Sequence, residues 1–130
     1  MPDELSHRDL SDFFDRFCSR FSTFDGAEVA KLFKAPGVAL REDGTLRCFI
    51  EPHDIATYYQ SALDNYRAAG CVACRWSDLE VQILRKGSVV ASVTWDLLAT
   101  GSAIRRWRQA YFMALFDGEP LIYGSAFAET

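Results

Sequence analysis

The second half of the chain carries four segments of alternating apolar and polar residues, and this run constrains the fold more than any other feature. From Cys71 onward the hydrophobic period is two, in WSDLEVQILR, SVVASVTWDLLA, AIRRWRQAYFMALF and LIYGSAFA. The short connections KG, TGS and DGEP each contain glycine. Strands joined by such short turns pair with their sequence neighbours. The sequence therefore predicts a four-stranded antiparallel meander.

The first half of the chain predicts helices instead. Ser6 and Asp9 have the spacing of a capping box, and from Leu10 the apolar residues recur at steps of three and four. The same start signal recurs at Asp25 and predicts a second, short helix, which Pro36 ends. The first helix carries one face rich in phenylalanine, and we expect that face to be buried.

The middle of the chain predicts a strand pair and a third helix. VAL and TLRCFI flank the turn REDG and are typical of a small hairpin. The third helix is expected between Pro52, in its first turn, and Gly70, just past its end. No repeat or linker divides the 130 residues. One domain over residues 1–130 is predicted, with an ordered core of about residues 6–128.

The charge balance argues against a general polyanion binder. The formal net charge is −4, whereas nucleic-acid affinity depends mostly on a basic footprint. Arg105, Arg106 and Arg108 form the only dense basic cluster in the sequence. No apolar run is long enough to span a membrane, and the first ten residues are acidic and polar, unlike a secretory signal. We expect a cytoplasmic protein without nucleic-acid or membrane partners.

The cysteine pattern does not predict a metal site. Cys71 and Cys74 form a CxxC pair, but the other candidate ligands, Cys18, Cys48 and two histidines, are scattered singly. The pair also leads into an extended segment, whereas a reactive CxxC places its first thiol at a helix N-terminus. We expect reduced thiols, no metal and no cofactor.

The order of elements resembles the nuclear transport factor 2-like superfamily, which includes SnoaL-like cyclases and ketosteroid isomerases. The residues that carry the resemblance are LSDFFDRFCSRFSTFDGAEVAKLF, VTWDL and RWRQAYFMALFDGEPLIYGSAF, and it covers residues 6–128. It implies an α+β fold in which a curved antiparallel sheet wraps around the N-terminal helix as a cystatin-like cone. Such a fold hosts many functions and does not name one.

The isomerase pattern of that superfamily is not matched in this chain. Its oxyanion tyrosine falls on Phe17, its general-base aspartate on or near Arg41, and its second oxyanion group near Phe112. Phenylalanine can neither donate a proton nor abstract one. The resemblance therefore implies a fold with no recognisable catalytic set.

Strand alternation sorts the long strands into two faces. By resemblance to the superfamily, we assign Trp95, Phe112 and Tyr123 to the concave face, and Asp96 to the opposite face as a partner of Arg105 or Arg106. The expected lining of a ligand pocket comprises Phe17, Tyr58, Trp95, Arg108, Phe112, Tyr123 and Ser125.

The other face of the long strand is also apolar, and it needs its own cover. It carries Trp107, Tyr111, Met113 and Leu115. The superfamily commonly covers this face by pairing two sheets, so we expect a homodimer with these four residues at its interface.

Two functions are compatible with this pattern. The first is a domain that binds a small hydrophobic or aromatic molecule in its cone without chemistry. The second is an isomerase, cyclase or dehydratase that uses a different constellation. Its candidates are Tyr123 or Tyr58 as acid, Arg108 as electrostatic clamp and His53 as base.

Overall fold

The computed structural model describes residues 4–129, which form three helices and six strands. The helices are α1 (His7–Phe21), α2 (Gly26–Ala30) and α3 (Pro52–Ala68). The strands are β1 (Phe33–Leu40), β2 (Leu46–Phe49), β3 (Ala73–Arg85), β4 (Ser88–Ala99), β5 (Ser102–Phe116) and β6 (Glu119–Ala128). The α+β class and the four-stranded meander are confirmed.

The helix starts follow the local sequence signals. The Asp9 amide donates to Ser6 Oγ over 3.0 Å, and the Ser6 amide donates to the Asp9 carboxylate over 2.9 Å. Asp25 caps α2 by accepting from the Ala27 amide. Pro52 opens α3, and Gly70 lies just past its end with a φ of 95°. These contacts are local, which explains why the sequence predicts them.

The six strands form one open mixed sheet in the order β2-β1-β6-β5-β4-β3. β3 to β6 are antiparallel neighbours, and β1 pairs antiparallel with β2, as predicted. β1 also pairs parallel with β6, which joins the hairpin to the meander. The predicted end of α2 at Pro36 is wrong, because α2 ends at Ala30 and Pro36 lies within β1.

The helices α1 and α3 pack on one face of the sheet, here called the inner face. Phe13 and Phe14 of α1 are fully buried and join one cluster with the inner residues of β4 and β5. α3 contributes Leu63 to that cluster and packs Tyr59 against Phe33 with ring centroids 4.9 Å apart. The core therefore lies between these helices and the sheet.

A β-bulge near the start of β5 decides which of its side chains face inward. Leu98 pairs with Ala103, as the turn between the strands dictates. Leu97, however, pairs with Arg105, which leaves Ile104 as an extra residue. Side chains alternate along a strand. One extra residue therefore turns each later side chain of β5 to the face opposite the one that it would occupy in unbroken pairing.

A second bulge does the same on β6. Met113 pairs with Ile122, and Phe112 pairs with Gly124, so that Tyr123 is the extra residue. The side chains of β6 beyond Tyr123 therefore change faces, as in β5.

Candidate functional site

A cavity of about 360 Å³ lies between α1, α3 and the inner face of the sheet. Most of its walls are aromatic or aliphatic, and a few hydroxyl and amide groups interrupt them. Its interior lining comprises Phe17, Phe21, Tyr58, Tyr59, Ala62, Leu63, Tyr66, Cys74, Trp95, Leu97, Trp107, Gln109, Tyr111, Ser125 and Phe127. The volume lies at the low end of the range of small-molecule sites, which is about 300–1,000 Å³.

The wall formed by α1 and β4 is a set of packed rings. Trp95 lies 5.0 Å from Phe17 and 6.0 Å from Phe14, measured between ring centroids. Tyr111 of β5 lies 5.6 Å from Phe14 and 6.1 Å from Phe17. These tilted and edge contacts are the arrangements that aromatic pairs favour, and they hold the wall in one geometry.

Tyr111 presents a hydroxyl group that is already oriented. Trp95 Nε1 donates to Tyr111 Oη over 2.7 Å, and both side chains are buried. Burial raises the pKa of Tyr111, and the hydrogen bond from Trp95 only partly opposes that rise. Tyr111 is therefore protonated at neutral pH, and its own hydrogen is the group that it can offer to a ligand.

Other hydroxyl groups line the same space. Desolvation raises the pKa of Tyr59 well above its ordinary value. Burial also raises the pKa of Tyr66, and the positive charges of Arg105 and Arg41 oppose that rise. Ser125 is paired directly opposite Tyr111 in the sheet. The interior thus offers neutral hydrogen-bond donors.

The turn between β1 and β2 forms one side of the cavity mouth. Arg105 Nη2 donates to Glu42 Oε2 over 2.6 Å and ties this turn to the start of β5. The same guanidinium lies over the Trp107 ring at 4.6 Å from its centroid. Trp107 Nε1 donates in turn to Gln109 Oε1 over 3.0 Å. These contacts fix Arg105 at the boundary between the cavity and solvent.

An open groove of about 930 Å³ continues from the mouth along α3 and β2. The two spaces share lining residues, among them Tyr58 and Arg105. Arg41 and Arg47 lie over the Tyr58 ring, with guanidinium carbons 6.0 and 5.4 Å from its centroid. His53 lines the groove, and its Nε2 lies 3.4 Å from Thr57 Oγ1. The cavity therefore opens into a basic groove.

The structure divides the predicted pocket residues between the two faces. Phe17, Tyr58, Trp95 and Ser125 line the cavity. The predicted places of Arg108, Phe112 and Tyr123 are wrong, because these three lie on the outer face of the sheet, away from α1 and α3. Phe112 is 38% exposed there and packs against Tyr123 with ring centroids 6.1 Å apart. The bulge at Ile104 is the physical reason, and the second bulge, at Tyr123, turns Ser125 to the inner face opposite Tyr111.

The prediction that Trp107, Tyr111, Met113 and Leu115 form a convex interface is wrong. All four pack against the main core cluster, and Met113 is fully buried. The bulge at Ile104 pairs Trp107 directly with Trp95, so that both point inward. A register without the bulge would give the predicted faces.

The acid on the outer face of β4 is a confirmed prediction. Asp96 Oδ1 accepts from Arg106 Nε over 2.7 Å, and Oδ2 accepts from Arg75 Nη2 over 3.2 Å. Hydrogen bonding to Arg106 lowers the pKa of Asp96, although burial opposes it. Arg108 donates to Glu80 over 2.7 Å and to Thr94 over 3.0 Å. These arginines therefore form ion pairs and hydrogen bonds with residues of the outer face and do not line the cavity.

The cysteines are free thiols. The interaction between the Cys18 and Cys74 thiols lowers the pKa of Cys18 and, together with burial, raises that of Cys74. Cys71 Sγ donates to the Ala73 carbonyl over 3.3 Å. Within residues 4–129, no cluster of three or more His, Cys, Asp or Glu side chains is arranged to hold a metal ion.

The helices of the described residues include no candidate for a membrane-spanning segment. Of the helices within residues 4–129, none combines the length and the apolar character needed to cross a bilayer.

The fold and its cavity define the class of the molecule as a nuclear transport factor 2 (NTF2)-like protein with a cystatin-like fold. The model of one family, described as NTF2-like protein (DUF6841), matches residues 6–124. The chain belongs to this family, and the superfamily resemblance of its sequence is confirmed. Among curated proteins, none matches the sequence significantly.

Solved structures share the fold at low sequence identity. Aln2 from a Streptomyces species has a TM-score of 0.75 and 17% identity, covering 92% of this chain and 87% of that chain. A cystatin-like domain of unknown function from Nostoc punctiforme has a TM-score of 0.71 and 17% identity, covering 96% and 79%. An NTF2-like protein from Novosphingobium aromaticivorans has a TM-score of 0.72 and 12% identity, covering 94% and 80%. Such identities show the fold alone.

Several cavity residues were missed in the sequence. Tyr59 and Tyr66 lie on α3 at helical spacing from Leu63, and this spacing was a usable signal. Gln109 was missed because its inward orientation depends on the bulge in β5. Phe127 lies two residues from Ser125 and shares its face by alternation, so this spacing was also a usable signal. The sequence indicates only that Arg105 belongs to a basic cluster, because its place at the mouth depends on the distant turn that holds Glu42.

Proposed function

We propose that this protein binds a small, largely aromatic or apolar molecule in the inner cavity, without carrying out chemistry on it. The observation that carries the proposal is the composition of the cavity, in which packed rings surround the oriented Tyr111 hydroxyl. Apolar walls with a few well-placed polar groups are typical of small-molecule sites. The rings contribute apolar burial, and Tyr111 selects ligands with a hydrogen-bond acceptor.

The same lining favours binding over acid–base catalysis. Both carboxylates of the lining, Glu42 and Asp43, lie on the exposed β1–β2 turn rather than in the interior. The interior tyrosines have raised pKa values, so they act as neutral donors and not as bases near pH 7. Phe17 and Arg41, on or near which two of the isomerase positions fall by resemblance, line the cavity and supply no base.

The alternative enzyme constellation is not assembled. It requires Tyr58 or Tyr123, Arg108 and His53 around one space. Tyr58 and His53 line the groove, but Arg108 and Tyr123 lie on the outer face of the sheet. We therefore do not propose this activity.

A thermal-shift screen with small aromatic compounds tests the binding function. A ligand present at about 100 times its dissociation constant stabilises its protein by about 2.7 kcal/mol. Ala62 lines both the cavity and the groove, so Ala62→Phe is expected to fill the mouth and abolish the shift caused by a hit. The matched control is Ala68→Phe on the exposed end of the same helix, which should leave the shift unchanged. A hit that both variants bind equally well would place the site elsewhere and contradict the proposal.

We further propose that two copies of the chain associate through the outer face of the sheet. Ser92, Ala110 and Ala126 lie side by side on β4, β5 and β6, so this part of the face is flat. Phe112 and Tyr123 project next to them. A flat face with central aromatic side chains suits an isologous contact, in which a patch covers its own copy.

A further inference from the structure

The groove beside the cavity concentrates positive charge in an acidic protein. The chain has a formal net charge of −4. Arg41, Arg47 and Arg105 nevertheless all line this one groove, which meets the cavity at Tyr58. Among the described residues, Asp54 is the one carboxylate that lines the groove beside these three arginines, so positive charge is in excess there. A cleft with an excess of one charge sign raises the local concentration of oppositely charged ligands.

Two of these arginines lie outside ion-pair distance of every acidic side chain among the described residues, although hydrogen bonding from Thr45, helped by the charge of Arg41, lowers the pKa of Asp43. Arg105 pairs with Glu42, whereas neither Arg41 nor Arg47 forms an ion pair with a carboxylate of residues 4–129. Their guanidinium groups lie over the Tyr58 ring instead. The hydrogen-bond donors of a guanidinium are not satisfied by a ring face, so both groups keep donors available to an anion.

The nearby carboxylates are already engaged. Asp43 accepts from the amide and the hydroxyl of Thr45 in the β1–β2 turn. Asp54 accepts from the Glu51 amide in the capping box of α3. Both groups can therefore keep these bonds when an anion binds to Arg41 and Arg47.

We propose that the ligand is an aromatic anion, whose ring system enters the cavity while its carboxylate, or a similar acidic group, binds Arg41 and Arg47 in the groove. This inference rests on the proposed binding function and adds the chemical class of the ligand. Arginine suits this role because its fork of donors matches planar and tetrahedral oxyanions. Tyr58 lies between the two parts of the site and contacts both arginines.

Two dyes with the same aromatic skeleton test the charge requirement. Anilinonaphthalene sulfonate is anionic, and phenylnaphthylamine is its neutral counterpart. Both fluoresce when they enter an apolar site, so their affinities can be measured in the same titration. At low ionic strength the sulfonate is expected to bind at least about tenfold more tightly, the size of one charge-assisted hydrogen bond. Added salt should weaken the binding of the sulfonate and leave the affinity of the neutral dye unchanged.

The double variant Arg41→Gln/Arg47→Gln should remove this preference and leave the affinity of the neutral dye unchanged. The matched control is Arg67→Gln. Arg67 also lies over a ring, that of Phe24, at 5.5 Å from its centroid, but it is not among the residues that line the cavity or the groove. This control should retain the full preference. Circular dichroism checks that each variant is folded, and the salt titration of the unmodified protein tests the charge requirement independently.

The outcomes separate this inference from the proposed function. If the neutral dye binds and Ala62→Phe blocks it, but the sulfonate shows no preference, the anionic class is wrong and the binding function stands. A preference that survives in the double variant also overturns the role of Arg41 and Arg47. If neither dye binds, or if Ala62→Phe blocks neither, the binding function fails and the inference fails with it.

Discussion

At the scale of single residues, the pair formed by Trp95 and Tyr111 links the core to the cavity. Trp95 is 3% exposed and Tyr111 is 4% exposed, so neither polar atom has easy access to solvent. The hydrogen bond between them satisfies the indole N–H and orients the hydroxyl. A buried donor left without a partner costs roughly 1–3 kcal/mol.

Replacement of Tyr111 by Phe tests this pair. The variant keeps the ring and its packing but leaves the Trp95 N–H unpaired. We expect the free energy of unfolding to fall by about 1–3 kcal/mol, measured by urea denaturation. The double-mutant cycle with Trp95→Phe is the control, because Tyr111→Phe should cost much less where Trp95 is already replaced. Equal costs in both backgrounds would show that the hydrogen bond contributes nothing.

At the scale of elements, the contact between α2 and α3 fixes the route of the chain from the first helix into the sheet. The Gly26 amide donates to Gln60 Oε1 over 2.7 Å, and Gln60 Nε2 donates to the Phe24 carbonyl over 3.1 Å. A Cβ atom at Gly26 would lie 2.4 Å from the Ala56 carbonyl oxygen. Glycine is therefore required by this close approach.

Replacement of Gly26 by Ala should destabilise the protein, because the clash is with the backbone of α3 and cannot be relieved by a rotamer change. We expect a loss of about 1–3 kcal/mol in the free energy of unfolding. Gly124→Ala is the matched control. A Cβ atom there would lie 3.5 Å from Phe112 and Val38, an ordinary contact, so a change below about 1 kcal/mol is expected. Similar losses in both variants would contradict the proposed cause.

At the scale of the whole molecule, the two faces of the sheet have different roles. The inner face packs on α1 and α3 and lines the cavity. The outer face carries the Asp96 ion pairs at one end, and Phe112, at 38% exposure, near Tyr123. We expect association of two copies through this second face, as proposed above.

Light scattering tests the association. The unmodified protein is expected to be a dimer, and Phe112→Glu should give a monomer, because a charge in the centre of the contact would be buried without a partner. The control is Ile83→Glu, which replaces a side chain that is 73% exposed and whose strand position faces the opposite side of the sheet. That variant should remain dimeric. A monomeric unmodified protein at tens of micromolar would contradict the proposal.

Much of the fold could be predicted because its signals are local. The capping residues of α1 and α2, Pro52 and the short glycine turns each act within a few residues, and the structure confirms the elements that they predict. The family was also predictable, because it depends on the order of these elements. The end of α2 was not, since Pro36 is compatible with a strand as well as with a helix end.

The sequence by itself determined the elements, their order and the apolar character of both faces of the long strand. Only the tertiary structure decided which face lines the cavity. That choice depends on one extra residue in β5, Ile104, and one in β6, Tyr123. The parallel pairing of β1 with β6 and the contact of Arg105 with Glu42 join positions far apart in the chain. Alternation fixes side chains only relative to their neighbours, whereas a bulge and a distant partner fix them relative to the core.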